Sequence, residues 1–152
     1  MNAEPLRAVI VEDNLTLRES LVATLEALAE VRVIATSGME AGALAWLRAH
    51  PHDWQVLIVD LFLRSGSGLH LIEQLGPRRP DQKVVVFSNY VNATVRKRCA
   101  QLGADAVFDK STELDALVDY CARQRFLLAS SAASARARQA TWPSTEPAGA
   151  TL

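Results

Sequence analysis

The sequence predicts an α/β domain, a doubly wound five-stranded parallel sheet with helices on both faces. Two observations carry that expectation. Apolar, largely β-branched runs recur at near-even spacing, at residues 8–11, 31–35, 56–59, 84–87 and 106–108, and a segment of helical period follows each one. The runs are continuously apolar instead of alternating, which is the pattern of strands covered on both faces. With 152 residues, 49% of them apolar, the chain has the length and composition for one domain with a substantial core.

Each helical segment has its own periodicity and punctuation. In the first, Leu17, Leu21, Leu25 and Leu28 fall on one face. In the second, Ser37 and Glu40 make a capping-box pattern ahead of Leu44 and Leu47, and Pro51 follows its end. The third is short, residues 68–75, and is ended by Gly76 and Pro77; the fourth presents Val91, Val95, Cys99 and Leu102 before Gly103 closes it. The fifth is expected to start near Ser111 or Thr112, with Leu114, Leu117, Val118 and Cys121 turned inward. Residues 129–140, rich in Ala, Ser and Arg, are able to extend it. From Thr141 the composition turns to TWPSTEPAGATL, polar with two prolines, and a disordered tail is expected. The expected division is a domain over residues 1–128 and a helix extension with tail over 129–152.

Composition excludes several classes. Lys+Arg 16 against Asp+Glu 17 leaves a net charge of -1, no field to hold a nucleic acid backbone, so no direct nucleic-acid binding is expected. Two cysteines, Cys99 and Cys121, without a CxxC pair or a histidine cluster, exclude a disulfide scaffold and a zinc finger and point to a cytoplasmic protein. Both are expected to pack as small apolar groups. The start lacks a basic segment followed by a long apolar run, and the apolar stretch 56–63 is broken by Asp60, so neither a signal peptide nor a membrane span is expected. His50, His52 and His70 have no ligand spacing and are expected at the surface. Ser65-Gly66-Ser67-Gly68 lacks the GxxxxGK[ST] form of a phosphate-binding loop and reads as a turn plus the cap of the third helix. Arg96-Lys97-Arg98, with Arg123, Arg125, Arg136 and Arg138, reads as solvated helix faces, the first cluster being the one placed to meet a partner.

In a parallel α/β sheet, functional residues sit just past the carboxyl ends of the strands. Glu12 and Asp13 follow the first strand, Asp60 the third, Ser88 the fourth and Lys110 the fifth, so this topology brings all five to one edge. Three carboxylates so close repel unless a cation joins them. Hard oxygen ligands with room for water suit Mg²⁺ or Mn²⁺. The Ser88 hydroxyl and the Lys110 ammonium complete an arrangement able to share the charge of a phosphoryl group placed on a carboxylate, with Asp60 the central acceptor.

These segments resemble the receiver domain of bacterial two-component response regulators over roughly residues 6–126: VIVEDN with the acidic pair, LIVDLFLRSGSGLHLI around Asp60, VVVFSN ending past Ser88, and GADAVFDKS with Lys110. The resemblance implies the flavodoxin-like receiver fold and a signalling switch that is not an enzyme beyond catalysing its own phosphorylation and dephosphorylation. It makes Asp60 the phosphorylated aspartate, Ser88 the hydroxyl that moves onto the phosphoryl group and Lys110 its ion-pair partner. It makes Asp13 a direct metal ligand, Glu12 a ligand through water and the Phe62 carbonyl a backbone ligand, with Asp60, of Mg²⁺ (or Mn²⁺). Three positions depart from the family pattern. Arg64 stands where many members have proline; Ser111 stands where a proline often follows the lysine; Val107 stands where a Tyr or Phe commonly swings inward, and its neighbour Phe108 faces the other side of the sheet.

The implied partners are a sensor histidine kinase or histidine phosphotransfer protein as donor and a downstream protein target. A homodimer through the fourth helix, fifth strand and fifth helix is a further expectation. About 26 residues follow Phe126, too few for a helix-turn-helix module, so a stand-alone receiver is expected. DKSTEL resembles receivers that precede LuxR-type DNA-binding domains, which keeps the receiver portion of a transcription regulator as the alternative, beside an unphosphorylated interaction module. In the resembled family the side chains two positions beyond the acceptor and the hydroxyl, here Phe62 and Tyr90, flank the path of the hydrolytic water; two large aromatics there imply slow decay of the phosphorylated state, the alternative being that either ring turns outward and serves partner contact.

Overall fold

The computed structural model describes residues 4–150, with side chains through residue 135. Ten elements alternate along the chain: β1 (Leu6–Val11), α1 (Leu15–Leu28), β2 (Val31–Ser37), α2 (Glu40–Ala49), β3 (Val56–Val59), α3 (Gly68–Gln74), β4 (Lys83–Ser88), α4 (Ala93–Gln101), β5 (Ala106–Asp109) and α5 (Leu114–Ala150). The sheet is parallel throughout, in the order β2-β1-β3-β4-β5. Chain direction across the sheet reverses between β1 and β3, the crevice where open α/β sheets hold ligands.

Side-chain alternation along the strands divides the interior into two layers. Leu6, Ala8 and Ile10 of β1, with Ile58 and Val85, meet Leu21 and Leu25 of α1 and Leu117 and Cys121 of α5. Val9 and Val11, with Leu57 and Val86, meet Leu47 of α2, Leu71 and Ile72 of α3 and Cys99 of α4. Both cysteines are fully buried and free, as expected. Burial raises both thiols, Cys121 to about 12, so neither is a ready thiolate. Each fully buried Val, Leu or Ile contributes roughly 1.5–3 kcal/mol relative to exposure, and β1, β3 and β4 have such residues on both faces.

The helix faces shift from those expected. Leu21 and Leu25 are buried, but Leu17 and Leu28 are 47% and 67% exposed. On a helical wheel these two lie about 60–80° from Leu25, and the buried stripe runs from Leu21 through Leu25 to Ala29. In α4 the N-cap is Asn92, whose side chain accepts from the Val95 N–H, so Val91 lies outside the helix. The start of α5 falls at Leu114 because residues 109–113 form a turn: the Ser111 N–H and hydroxyl both donate to Asp109 Oδ1, and the Glu113 N–H donates to the Asp109 carbonyl. The backbone of α5 continues through the Ala/Ser/Arg segment. The tail expected from Thr141 lies beyond the described side chains, as do those of Arg136 and Arg138.

The capping box expected of α2 is absent. Ser37 ends β2, Met39 is the N-cap without a side-chain bond, and the Glu40 carboxylate reaches across to α3. There it accepts from the Ser67 N–H at 2.8 Å and pairs with His70 Nδ1. The His70 bond, then the Ser67 bond, hold the Glu40 carboxyl below its ordinary range. His70 is therefore a surface residue with a partner, and half-buried His50 stacks on Trp46. Ser67 caps α3 by accepting from the His70 N–H, which is the turn-and-cap reading of the Ser/Gly run. No described helix is long and apolar enough to cross a membrane.

Gly68 sets how closely α3 approaches the loop after β3. Its N–H donates to the Leu61 carbonyl at 3.0 Å, and a Cβ there would lie 2.1 Å from the Asp60 carbonyl oxygen. Gly76, at φ +77°, has open space around it. Gly68→Ala is expected to destabilise the fold by about 2–3 kcal/mol, because backbone must move, and Gly76→Ala by roughly 1–2 kcal/mol, because only the left-handed conformation is strained. Urea unfolding of both variants checks the order; a Gly68→Ala loss smaller than that of Gly76→Ala contradicts it.

Candidate functional site

Strand register builds the site before any side chain enters. Val11 pairs with Val59, so Glu12 and Asp60 leave the two central strands side by side. Ser88 pairs with Asp109, so Lys110 follows directly beside Ser88. Hydrogen bonding continues into the loops: the Asp60 N–H donates to the Val11 carbonyl at 3.0 Å and the Lys110 N–H to the Ser88 carbonyl at 3.0 Å. The five residues expected at one edge of the sheet are all brought there.

Lys110 lies between two carboxylates. Its Nζ donates to Asp60 Oδ2 at 2.8 Å and to Glu12 Oε1. Asp60 Oδ1 accepts from the Ser88 hydroxyl at 2.9 Å and from the Phe62 N–H at 3.3 Å. The second Glu12 oxygen accepts from the Asn14 N–H at 3.0 Å. Glu12, Asp60 and Ser88 are buried, and Asp13 is half-buried on the solvent side. Burial opposes the Lys110 charge, but its hydrogen bonds to Asp60 and Glu12 and their negative charge outweigh it and raise its pKa above the ordinary lysine value. Because the folded value is raised, this contribution to stability is complete at neutral pH and is lost only as pH climbs past the ordinary lysine range.

Ligand oxygens of Glu12, Asp13 and Asp60 lie within 4.8 Å of one another. With Lys110 counted, the four groups carry two negative charges in excess, the complement of one divalent cation. An all-oxygen donor set with a solvent-facing member fits a cation that keeps several waters, as Mg²⁺ does.

A family model described as the response regulator receiver domain matches residues 8–122. The chain belongs to this family. A relative, the acid tolerance regulatory protein ActR of Rhizobium meliloti (strain 1021), is 32% identical over 107 residues, 70% of this chain and 53% of that protein. The chain spans about half the length of the first curated relatives it matches. Among solved structures, a LuxR-family DNA-binding response regulator from Staphylococcus aureus superposes with a TM-score of 0.69 at 17% identity, covering 79% of this chain and 98% of that one. A Burkholderia pseudomallei response regulator, solved with a phosphorylated aspartic acid, calcium ion and citrate, gives 0.64 at 24% identity over 74% and 64%. The flavodoxin-like receiver fold is thereby established. Receiver domains are the aspartate-phosphorylated switches of two-component systems, and they bind Mg²⁺ at an acidic pocket such as the one described above.

The three departures have structural counterparts. No cis peptide occurs among the described residues, so the bond between Lys110 and Ser111 is trans. Val107 packs in the layer shared with Val95 and Cys99, while Phe108 lies on the opposite face, edge to face with Tyr120. No aromatic therefore stands at the Val107 position. Instead, Arg96 of α4 donates to the Val107 carbonyl at 2.7 Å and to Glu113 Oε1 at 2.9 Å. At the third departure, the Arg64 N–H donates to Asp13 Oδ2 at 2.7 Å.

Two groups at the site were not anticipated. Arg18, one turn into α1, donates from Nη1 to the Glu12 carbonyl at 3.0 Å. The Arg64 main-chain donor has no side-chain signature at all. Phe62 and Tyr90 are 55% and 72% exposed, and their rings meet edge to face with centroids 5.5 Å apart.

Lys110→Met leaves the clustered carboxylates without their ammonium. Removing one partner of such a buried group is expected to cost about 3 kcal/mol, and Mg²⁺ is expected to raise the melting temperature of the variant more than that of the wild type. Thermal melts with chelator and with MgCl₂ check this; equal stability of the two proteins in chelator contradicts the bridging role.

Proposed function

We propose that the chain receives a phosphoryl group on Asp60 from the phosphohistidine of a sensor histidine kinase or histidine phosphotransfer protein. One observation carries the choice of acceptor: the Asp60 carboxylate accepts from both the Ser88 hydroxyl and the Lys110 ammonium. In the transfer, the phosphorus–nitrogen bond of the donor breaks, a phosphorus–oxygen bond to the carboxylate forms, and the donor imidazole leaves. Glu12, Asp13, Asp60 and the Phe62 carbonyl would hold Mg²⁺ or Mn²⁺, Glu12 through water. The cation supplies neutralisation of charge on the phosphoryl oxygens. Lys110 offers the same oxygens a second cation, and the Ser88 hydroxyl exchanges its carboxylate acceptor for a phosphoryl one.

Leu17 and Leu114, exposed and lining one cavity with Glu12 and Lys110, offer the donor protein an apolar surface. The output is a change of protein–protein contact on the face of α4, β5 and α5, in a homodimer or with a downstream protein. Arg96 ties α4 there to β5 and to the turn that precedes α5. Arg98 pairs with Glu73 of α3, while Lys97 is exposed beside it.

Asp60→Asn is expected to abolish acid-labile, hydroxylamine-sensitive labelling by a small phosphodonor, and Asp13→Asn to slow it by at least about tenfold. Labelling retained in Asp60→Asn, or a wild-type rate in Asp13→Asn, contradicts the assignment.

Lifetime of the phosphorylated state rests on the Phe62–Tyr90 pair. In-line hydrolysis requires a water opposite the leaving carboxylate, and the ring faces of a packed pair exclude that water. Phe62→Asn combined with Tyr90→Glu is expected to accelerate dephosphorylation at least several-fold. A wild-type decay as fast as that of the double variant refutes the shielding.

A further inference from the structure

We propose that the main-chain N–H of Arg64 is a positioning group for Asp13, fixing that carboxylate for the divalent cation; the proposal rests on the metal-dependent reading above. Arg64 occupies a position where many family members carry proline, which has no N–H to give. Here the N–H is present and spans 51 residues of sequence to reach Asp13 Oδ2 at 2.7 Å. No other hydrogen bond reaches the Asp13 side chain among the described residues.

The three carboxylates are unequally held. Asp60 accepts from Ser88, Phe62 and Lys110, and Glu12 from Lys110 and Asn14. Asp13 has Arg64 alone, so this one bond decides its rotamer. With Oδ2 taken by that bond, no hydrogen bond among the described residues reaches the other oxygen, and an outer donor of this kind orients a ligand and tunes its metal. The bond also fixes the distance between the loop after β1 and the loop after β3, and the second of these carries Phe62. The guanidinium contributes little: its Nε is 4.0 Å from Oδ2 and the side chain is 85% exposed, so water screens it. The charge and the N–H are therefore separable by substitution.

Calorimetric titration of the full chain with MgCl₂ tests the proposal. Arg64→Ala keeps the N–H and removes the charge, and its affinity is expected within about twofold of wild type; Arg64→Pro removes both and is expected to bind about tenfold more weakly. Equal affinity of Arg64→Pro and wild type overturns the positioning role, and so does a loss in Arg64→Ala as large as in Arg64→Pro. Absence of Mg²⁺ binding by the wild type overturns the metal-dependent reading and this proposal with it. Should Arg64→Pro fail to fold, amide exchange decides: the Arg64 amide of the wild type is expected to be protected despite its exposed loop, with protection lost in Asp13→Ala, and an unprotected wild-type amide overturns the proposal.

Discussion

The Lys110 ammonium between Glu12 and Asp60 is the interaction on which the site depends. Buried carboxylates are tolerated only when paired and hydrogen-bonded, and one cation on the protein's own backbone serves two of them. The sheet makes this possible. Parallel register sets the ends of β1, β3, β4 and β5 side by side, and ladder hydrogen bonds that continue past the strands fix the backbone from which all these groups project. The apolar layers above and below the sheet hold that register, so the core acts on the chemistry by positioning charge.

The arrangement has a consequence for switching. Both oxygens of Asp60 are already engaged, one by Ser88 and Phe62 and the other by Lys110. A phosphoryl group on either oxygen would change what the donors on it meet, Ser88 and Phe62 on one and Lys110 on the other, and so would bear on the end of β4 or the start of the β5–α5 turn. From there the connection to α4 is polar. Val107 is too small to act as a swinging ring, and Phe108 is committed to Tyr120 on the far face. Arg96 joins α4 to the β5 backbone and to Glu113, which itself accepts from the Asp109 N–H.

Most of the sheet and the five acidic, hydroxyl and ammonium positions were legible in the sequence, because strands buried on two faces leave unbroken apolar runs and strand ends in a parallel sheet share an edge. The helix faces were less so. Four leucines at helical spacing in α1 mark a stripe, but only the contacts with the sheet decide that Leu21 and Leu25 are covered and Leu17 and Leu28 are not. Glu40 fitted a local capping pattern and instead formed a contact with α3 across 27 residues, since a carboxylate satisfies whichever donor the fold brings nearest. Arg18 donates to a backbone carbonyl and Arg64 donates from its own backbone N–H, and a backbone group leaves no pattern of residue types to read. The absent aromatic at Val107 was legible, because period-two alternation places Phe108 on the other face.

One pocket would join the carboxylate of Asp60 to a divalent cation, with Ser88 and Lys110 placed beside it to receive a phosphoryl group. Fluorine NMR of the wild-type chain with beryllofluoride, a stand-in for the acyl phosphate, measures this directly. A protein-bound fluoride signal is expected to form when Mg²⁺ is added and to disappear on chelation; no bound signal, or one that forms equally without the cation, would rule out the joined site.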